Sequence, residues 1–384
     1  MKVTLFATLA ATLASAVSAQ DASGYAASLL GALQAANLTT LASLATANAA
    51  TLLPLLQSGN HTIFAPSDAA FAALPENVTS NQDLVASTLL YHIYYGSYAP
   101  SNLSANHTIA RSSLNNTQYV NLPSNASQVG VLTSGGAGQN NQSATVIQAT
   151  KNVTSSAYTK VANLDVYVID EVLSIPGNLT ATASAAGLSS LTGALTQYAS
   201  SAIPALTSAK GITVFAPVNS AFESAASLIG TLNDTTIANV LLNHVINGTV
   251  VYSPLVTNGL NATSAGGATL SFMTNSTGVF VMSGNTTARI IRTDIPISNG
   301  VVHLISNVLA NPESNPQAAE SAASSASQAA ATNTAPQTGG VTPAATGSNG
   351  QPTGTGGSGG TSGADKLAAG GLTALLAVGV AALL

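Results

Sequence analysis

Thr62-Ile63-Phe64-Ala65-Pro66-Ser67-Asp68-Ala69-Ala70-Phe71 returns along the chain as Thr213-Val214-Phe215-Ala216-Pro217-Val218-Asn219-Ser220-Ala221-Phe222. β-Branched and aromatic residues favour a short buried strand, the proline ends it, and Ser67 or Asp68 is placed to cap a following helix. Pro217 and Asn219 repeat the device. A second block, Leu89-Leu90-Tyr91-His92-Ile93-Tyr94-Tyr95-Gly96, returns as Leu241-Leu242-Asn243-His244-Val245-Ile246-Asn247-Gly248. It reads as an apolar helix ending near Gly96 and Gly248, because glycine suits a helix C-terminus. A third block, Val166-Tyr167-Val168-Ile169-Asp170-Glu171-Val172-Leu173, returns as Val302-His303-Leu304-Ile305-Ser306-Asn307-Val308-Leu309. It is a near-continuous apolar strand, hence covered on both faces.

Residue 62 answers to 213 and 89 to 241, nearly one offset, whereas 166 answers to 302. Two tandem domains of one fold follow. The first carries about sixteen extra residues, which the polar, Gly- and Asn-rich stretch Pro123 to Ser143 accommodates as a surface loop. Leu29 to Leu56 and Leu188 to Leu206, ahead of the first block in each copy, read as amphipathic helices. The fold class is α+β: two tandem domains at 23–176 and 182–311, each a β-sandwich or wedge with packed helices.

The ends place the chain outside the cell. Lys2, an apolar run to Val17 and the small residues Ser18 and Ala19 make 1–19 a signal peptide. From 312 to 363 the sequence is Ser-, Thr-, Gly- and Pro-rich and reads as a disordered stalk. Small residues from Gly356 to Ala364, a short spacer with Asp365 and Lys366, and the apolar Leu367 to Leu384 without a following basic residue give the order of a glycosylphosphatidylinositol (GPI) attachment signal, with 364–384 removed on maturation and a C-terminal membrane helix as the alternative. Candidate attachment residues are Ser358, Gly359, Gly360, Ser362 and Gly363.

Only 5% of residues are charged while 46% are hydrophobic, so charge alone does not solvate the surface. Asn-x-Ser/Thr sequons supply another source. They stand at Asn37, Asn60, Asn77, Asn102, Asn106, Asn115, Asn125, Asn141, Asn152, Asn178, Asn233, Asn247, Asn261, Asn275 and Asn285, and glycans there would replace charged side chains as the solubilising layer. The chain has no cysteine, so core burial alone must hold the domains. A net charge of -5 with eight scattered Lys and Arg excludes a basic patch for nucleic acid. The five histidines stand apart from one another and from carboxylates at ligand spacing, so neither metal nor cofactor is expected.

The TIFAPSDAAF and TVFAPVNSAF segments, the LLYH and LLNH segments and the closing SNGVVHLISNVL resemble the blocks of the fasciclin (FAS1) domain, in order, across both copies. The resemblance implies an extracellular module of helices on a β-wedge, used in adhesion and in matrix or wall association and often GPI-anchored in fungi and plants. The cysteine-free, Ala/Ser/Thr-rich format points to a fungal source. The family's Tyr-His motif lands on Tyr91 and His92, while the second copy has Asn243 before His244. The family's closing Asn-Gly is Asn299-Gly300 in the second copy and Asn163-Leu164 in the first.

His92 and His244 are the residues to nominate for chemistry, yet each sits in an apolar helix, where a buried, hydrogen-bonded histidine is the bland alternative. No local nucleophile or carboxylate completes a catalytic set. Gly-rich matches to catalytic patterns at Gly354 to Gly360 lie in the stalk and are chance. Arg289 and Arg292 near Asp294 suggest a surface ion pair. The expectation is a non-catalytic adhesion or wall-associated glycoprotein on the outer face of the plasma membrane or in the wall. Its partners would be cell-wall or matrix polysaccharide or other surface glycoproteins. Binding of a polysaccharide or small apolar ligand is the alternative, and a wall-modifying enzyme the least favoured.

Overall fold

The computed structural model describes residues 22–135 and 142–332. The expected signal peptide, the expected anchor signal with its candidate residues Ser358 to Gly363, and the sequon Asn141 lie outside the described residues.

Each copy builds one seven-stranded sheet flanked by helices. In the first, helices α1 (Ala22–Ala35), α2 (Thr39–Ala47) and α3 (Ala49–Gln57) precede β1 (His61–Pro66). Then come α4 (Asp68–Ala72), α5 (Glu76–Thr79), α6 (Gln82–Tyr91), β2 (Ile93–Tyr95), β3 (Thr108–Arg111), β4 (Val129–Ser134), β5 (Ala144–Ile147), β6 (Val153–Val161) and β7 (Leu164–Ile169). The second copy runs α7 (Leu179–Ala185), α8 (Ser189–Tyr198), α9 (Ile203–Ser208), β8 (Ile212–Pro217), α10 (Asn219–Ile229), α11 (Asp234–Leu242) and β9 (Val245–Asn247). It closes with β10 (Asn261–Thr263), β11 (Thr269–Asn275), β12 (Gly278–Ser283), β13 (Thr286–Ile297) and β14 (Gly300–Ile305). Strand order is β2-β1-β7-β6-β5-β4-β3, repeated as β9-β8-β14-β13-β12-β11-β10.

The first and third repeated blocks lie side by side in the interior of each sheet, second and third from one edge. β1 pairs in parallel with β7 from His61↔Leu164 to Pro66↔Ile169, and β8 with β14 from Ile212↔Gly300 to Pro217↔Ile305. That position explains their near-continuous apolar character, since an interior parallel strand is covered on both faces. One face of the first sheet packs on Leu33, Leu41, Leu52 and Leu56. The other encloses Phe64, Tyr94, Tyr167 and Leu132, with Phe64 stacked on Tyr167 at 5.1 Å and edge-on to Tyr94 at 5.6 Å. Each such buried large side chain contributes roughly 1.5–3 kcal/mol, enough in sum to hold a cysteine-free domain. Register shifts in β6 at Ser155/Ala157 and in β13 between Ile290 and Ile295 curl the sheets into wedges.

Several local expectations are corrected. The second block does not stay helical to its glycine: α6 stops at Tyr91 and Ile93–Tyr95 form a strand on β1, because the β-branched and aromatic residues gain a ladder partner there. Ser67 caps α4, its hydroxyl accepting from the Ala70 amide at 3.3 Å. Asp68 and Asn219 instead serve the preceding helices. Asp68 accepts from the Thr39 and Thr40 amides and Asn219 from the Ser190 amide. The stretch Pro123 to Ser143 is not all surface loop, since β4 within it buries Val131 and Leu132 completely. Its Gly and Asn residues masked a Val-Gly-Val-Leu strand.

The expectation of disorder from 312 to 363 is corrected over its first part, where Pro316–Thr332 forms helix α12. Alanine is the best helix former, so a sequence without large apolar residues still folds here. Among the described residues no single helix is long and apolar enough to cross a membrane.

Candidate functional site

His92 and His244 occupy the same place in the two copies, just beyond the last turns of α6 and α11. His92 Nδ1 lies 2.7 Å from the Thr88 carbonyl, and its Nε2 accepts from the Leu173 amide at 2.9 Å. His244 repeats this with the Val240 carbonyl at 2.7 Å and the Leu309 amide at 2.8 Å. Each imidazole therefore ties a helix end to the segment that follows the closing strand. Both rings are buried, and burial pushes each pKa down to about 4. Neither presents a ring nitrogen to solvent. His92→Ala strands the Leu173 amide and is expected to cost roughly 1–3 kcal/mol, read as a lowered melting temperature. An unchanged melting temperature would mean that His92 does not tie the helix end to the closing segment as described.

The residues before these histidines differ in what they reach. Tyr91 is fully buried, its hydroxyl donating to the Val129 carbonyl at 3.3 Å. It lines a cleft of about 220 Å³ between the domains together with Gln148, Thr150, Ile175, Pro176 and Pro296. Asn243 is also fully buried, but its amide nitrogen donates to the Asn311 and Glu313 carbonyls at 2.9 and 2.8 Å.

A polar cluster that sequence reading missed sits on the seam between domains. Residues 112–128, between β3 and β4, lie along the second domain. The Asn121 amide donates to the Ser298 carbonyl at 2.8 Å and Gln128 Nε2 to the Ile297 carbonyl at 3.0 Å. At its centre, Asp294 Oδ2 lies 2.7 Å from His107 Nδ1, a pairing across 187 positions of sequence. Asp294 Oδ1 accepts from the Ser253 amide at 2.7 Å, Oδ2 accepts from the Ser253 hydroxyl, and the Asp294 amide donates to His303 Nδ1 at 3.2 Å. Burial by itself raises the carboxyl pKa, but the bonds from His107 and Ser253 and the nearby His303 carry it below the usual range. His303 Nε2 lies 2.8 Å from the Val251 carbonyl, which fixes its proton on Nε2, and burial lowers its pKa.

The expected surface ion pair with Arg289 and Arg292 is therefore overturned. The β13 irregularity puts Asp294 at φ +60° and turns it inward. Arg292 instead donates across the seam to the carbonyls of Gln148 and, at 3.1 Å, Ala149. Chemically, the carboxylate stands between the imidazole and the hydroxyl. A hydrolytic triad needs the imidazole between them, to take the seryl proton. Among the described residues no group of three His, Asp or Glu is placed to hold a metal ion. Every sequon asparagine whose side chain is described is exposed, except Asn247, which is half-buried.

A family model for the fasciclin domain matches residues 36–176 and 186–311. A fasciclin-like arabinogalactan protein of Arthroderma benhamiae is 34% identical over 149 residues, 39% of this chain and 34% of that protein. Another from Cercospora beticola is 25% identical over 144 residues, 38% of this chain and 37% of that protein. The chain thus spans about a third of the length of these relatives. Among solved structures, the FAS1 domain pair of the insect cell adhesion molecule Fasciclin I aligns over 71% of this chain and 96% of that one, with TM-score 0.36 and 15% identity. With both copies of its repeat matched in order, the chain belongs to the fasciclin domain family.

Proposed function

We propose that this protein is a non-catalytic, wall-associated adhesion glycoprotein that presents two fasciclin domains from a GPI-anchored stalk on the cell surface. The observation that carries the reading is the distribution of the sequons: exposed acceptor asparagines stand at helix caps, strand ends, turns and loops of both domains. The nominated histidines are meanwhile committed to backbone hydrogen bonds inside. Such a body meets its surroundings through a glycan coat, which suits contact with wall or matrix polysaccharide or with other surface glycoproteins. The resemblance to fungal fasciclin-like arabinogalactan proteins supports the same reading.

A second reading, capture of a small ligand, rests on the cleft at the domain seam. At about 220 Å³ it falls below the ~300–1,000 Å³ of usual ligand pockets, which makes this the lesser case.

Anchoring turns weak contacts into avidity by holding many copies at high local concentration. Phosphatidylinositol-specific phospholipase C is expected to release the protein, and anchored protein to promote cell-cell or cell-wall association far more than an equal amount of released protein. Recovery of a mature peptide from Leu367 to Leu384 would refute the anchor. Turnover of a wall polysaccharide or ester by folded, released protein would replace adhesion with enzymology.

A further inference from the structure

We propose that α12 is a strap: it crosses the seam, locks the two fasciclin domains together, and is rooted on Asn243. Its root is built from buried polar groups. Asn243 holds the Asn311 and Glu313 carbonyls, while its Oδ1 accepts from the Ser264 hydroxyl at 2.6 Å. Asn311 Nδ2 donates to the Ser283 hydroxyl at 3.1 Å, and the Asn315 amide donates to the Gly266 carbonyl at 2.8 Å. Asn315 then caps the helix, its Oδ1 accepting from the Ala318 amide at 3.0 Å. Two glycines make room for this root. A Cβ on Gly266 would lie 2.2 Å from Asn243 Oδ1, and one on Gly267, at φ +89°, 2.0 Å from the Asn315 carbonyl oxygen.

From there the helix runs over the second domain and ends on the first. At its middle, a Cβ on Gly248 would stand 2.8 Å from Ala326 Cβ, so backbone meets helix with nothing between. At its far end, Ser124, in the turn Pro123–Asn125 of the first domain, donates its hydroxyl to the Ala330 carbonyl, and Ala330 is buried. Seventeen helical residues carry the chain about 25 Å. The helix therefore ends beside the first domain, not near Asn311 on the second.

The root accounts for the second copy's departure from the family's Tyr-His pair. Tyr91 reaches Val129 at the seam, and a tyrosine at position 243 would lack the two donors that hold the Asn311 and Glu313 carbonyls. The grip along the helix is slight by comparison. The segment contains no Leu, Ile, Val or aromatic residue, and its four serines lower its intrinsic helix propensity. It stays folded only while docked.

Hydrogen exchange on the full chain tests this. Amides of 319–331 are expected to be protected in the unaltered protein. Ala326→Glu with Ala330→Glu, both on the helix and outside either domain core, should lower that protection roughly tenfold or more while the β8 and β14 amides stay protected. Asn243→Tyr should do the same, and the helix variants keep the test decisive should that substitution unfold the second domain. Free-chain exchange of 319–331 in the unaltered protein, or unchanged protection in the double-glutamate variant, would overturn the strap.

Discussion

Acidification from pH 7 to about 4.5 is expected to destabilise both domains together. His92 and His244 have pKa values of about 4 in the folded protein against 6.5 when exposed. Between these values the unfolded chain takes up protons that the folded protein refuses. The stability contribution is therefore complete above pH 6.5 and drains away as the pH falls towards 4. Each histidine accounts for about 3 kcal/mol at the bottom of that window. His61 and His303, buried and shifted in the same direction, add to it. Against a usual total of roughly 5–15 kcal/mol this is a large fraction. Denaturant midpoints at pH 7, 6, 5 and 4.5 measure it. A midpoint that does not move would mean that these imidazoles are not buried between backbone partners as described.

Gly300→Ala should be nearly as damaging, although it adds one methyl group. That Cβ would stand 1.9 Å from the Ile212 carbonyl oxygen, a backbone atom in the interior parallel pair that cannot step aside alone. Opening the β8–β14 ladder there should cost roughly 3 kcal/mol, the upper end for overpacking. Leu164 holds the matching ladder position in the first domain. The two copies reach this register by different backbones: Ala162 takes the left-handed bend at φ +53° in the first, whereas the second relies on the close approach at Gly300. The asparagine between is used alike. Asn163 Nδ2 donates to the Leu56 carbonyl at 2.7 Å, and Asn299 Nδ2 to the Leu206 carbonyl at 2.7 Å. Thermal unfolding of Gly300→Ala beside Leu164→Ala separates the cases, since the latter leaves a cavity and not a clash. Equal melting of Gly300→Ala and the unaltered protein would show that the ladder yields freely.

The recurrence of three short blocks was enough to read a duplicated α+β module, because Phe64, Val166 and their counterparts carry strand chemistry in the residues themselves. What escaped reading depends on partners remote in sequence. His107 and Asp294 meet only because β13 breaks register and turns Asp294 into the seam. β4 was obscured because Gly130, which lets Tyr94 approach, looks like a loop residue in the sequence. Helix α12 was obscured because alanine and serine are as common in stalks as in helices, and only its docking decides between them.

The strand order sets a timetable for synthesis. β1 cannot take its interior place until β7 exists, and His61 waits for Leu164, about a hundred residues downstream. At ~5–20 residues per second the nascent first domain stays open for roughly 5 to 20 s after its first strand emerges. On the secreted, glycosylated reading proposed above, Asn77, Asn102, Asn106, Asn115, Asn125, Asn141 and Asn152 would pass into the secretory lumen during that interval. A glycosyltransferase that requires a flexible acceptor would meet them before the wedge closes, so modification would precede folding and each attached sugar would have to point outward once β7 arrives.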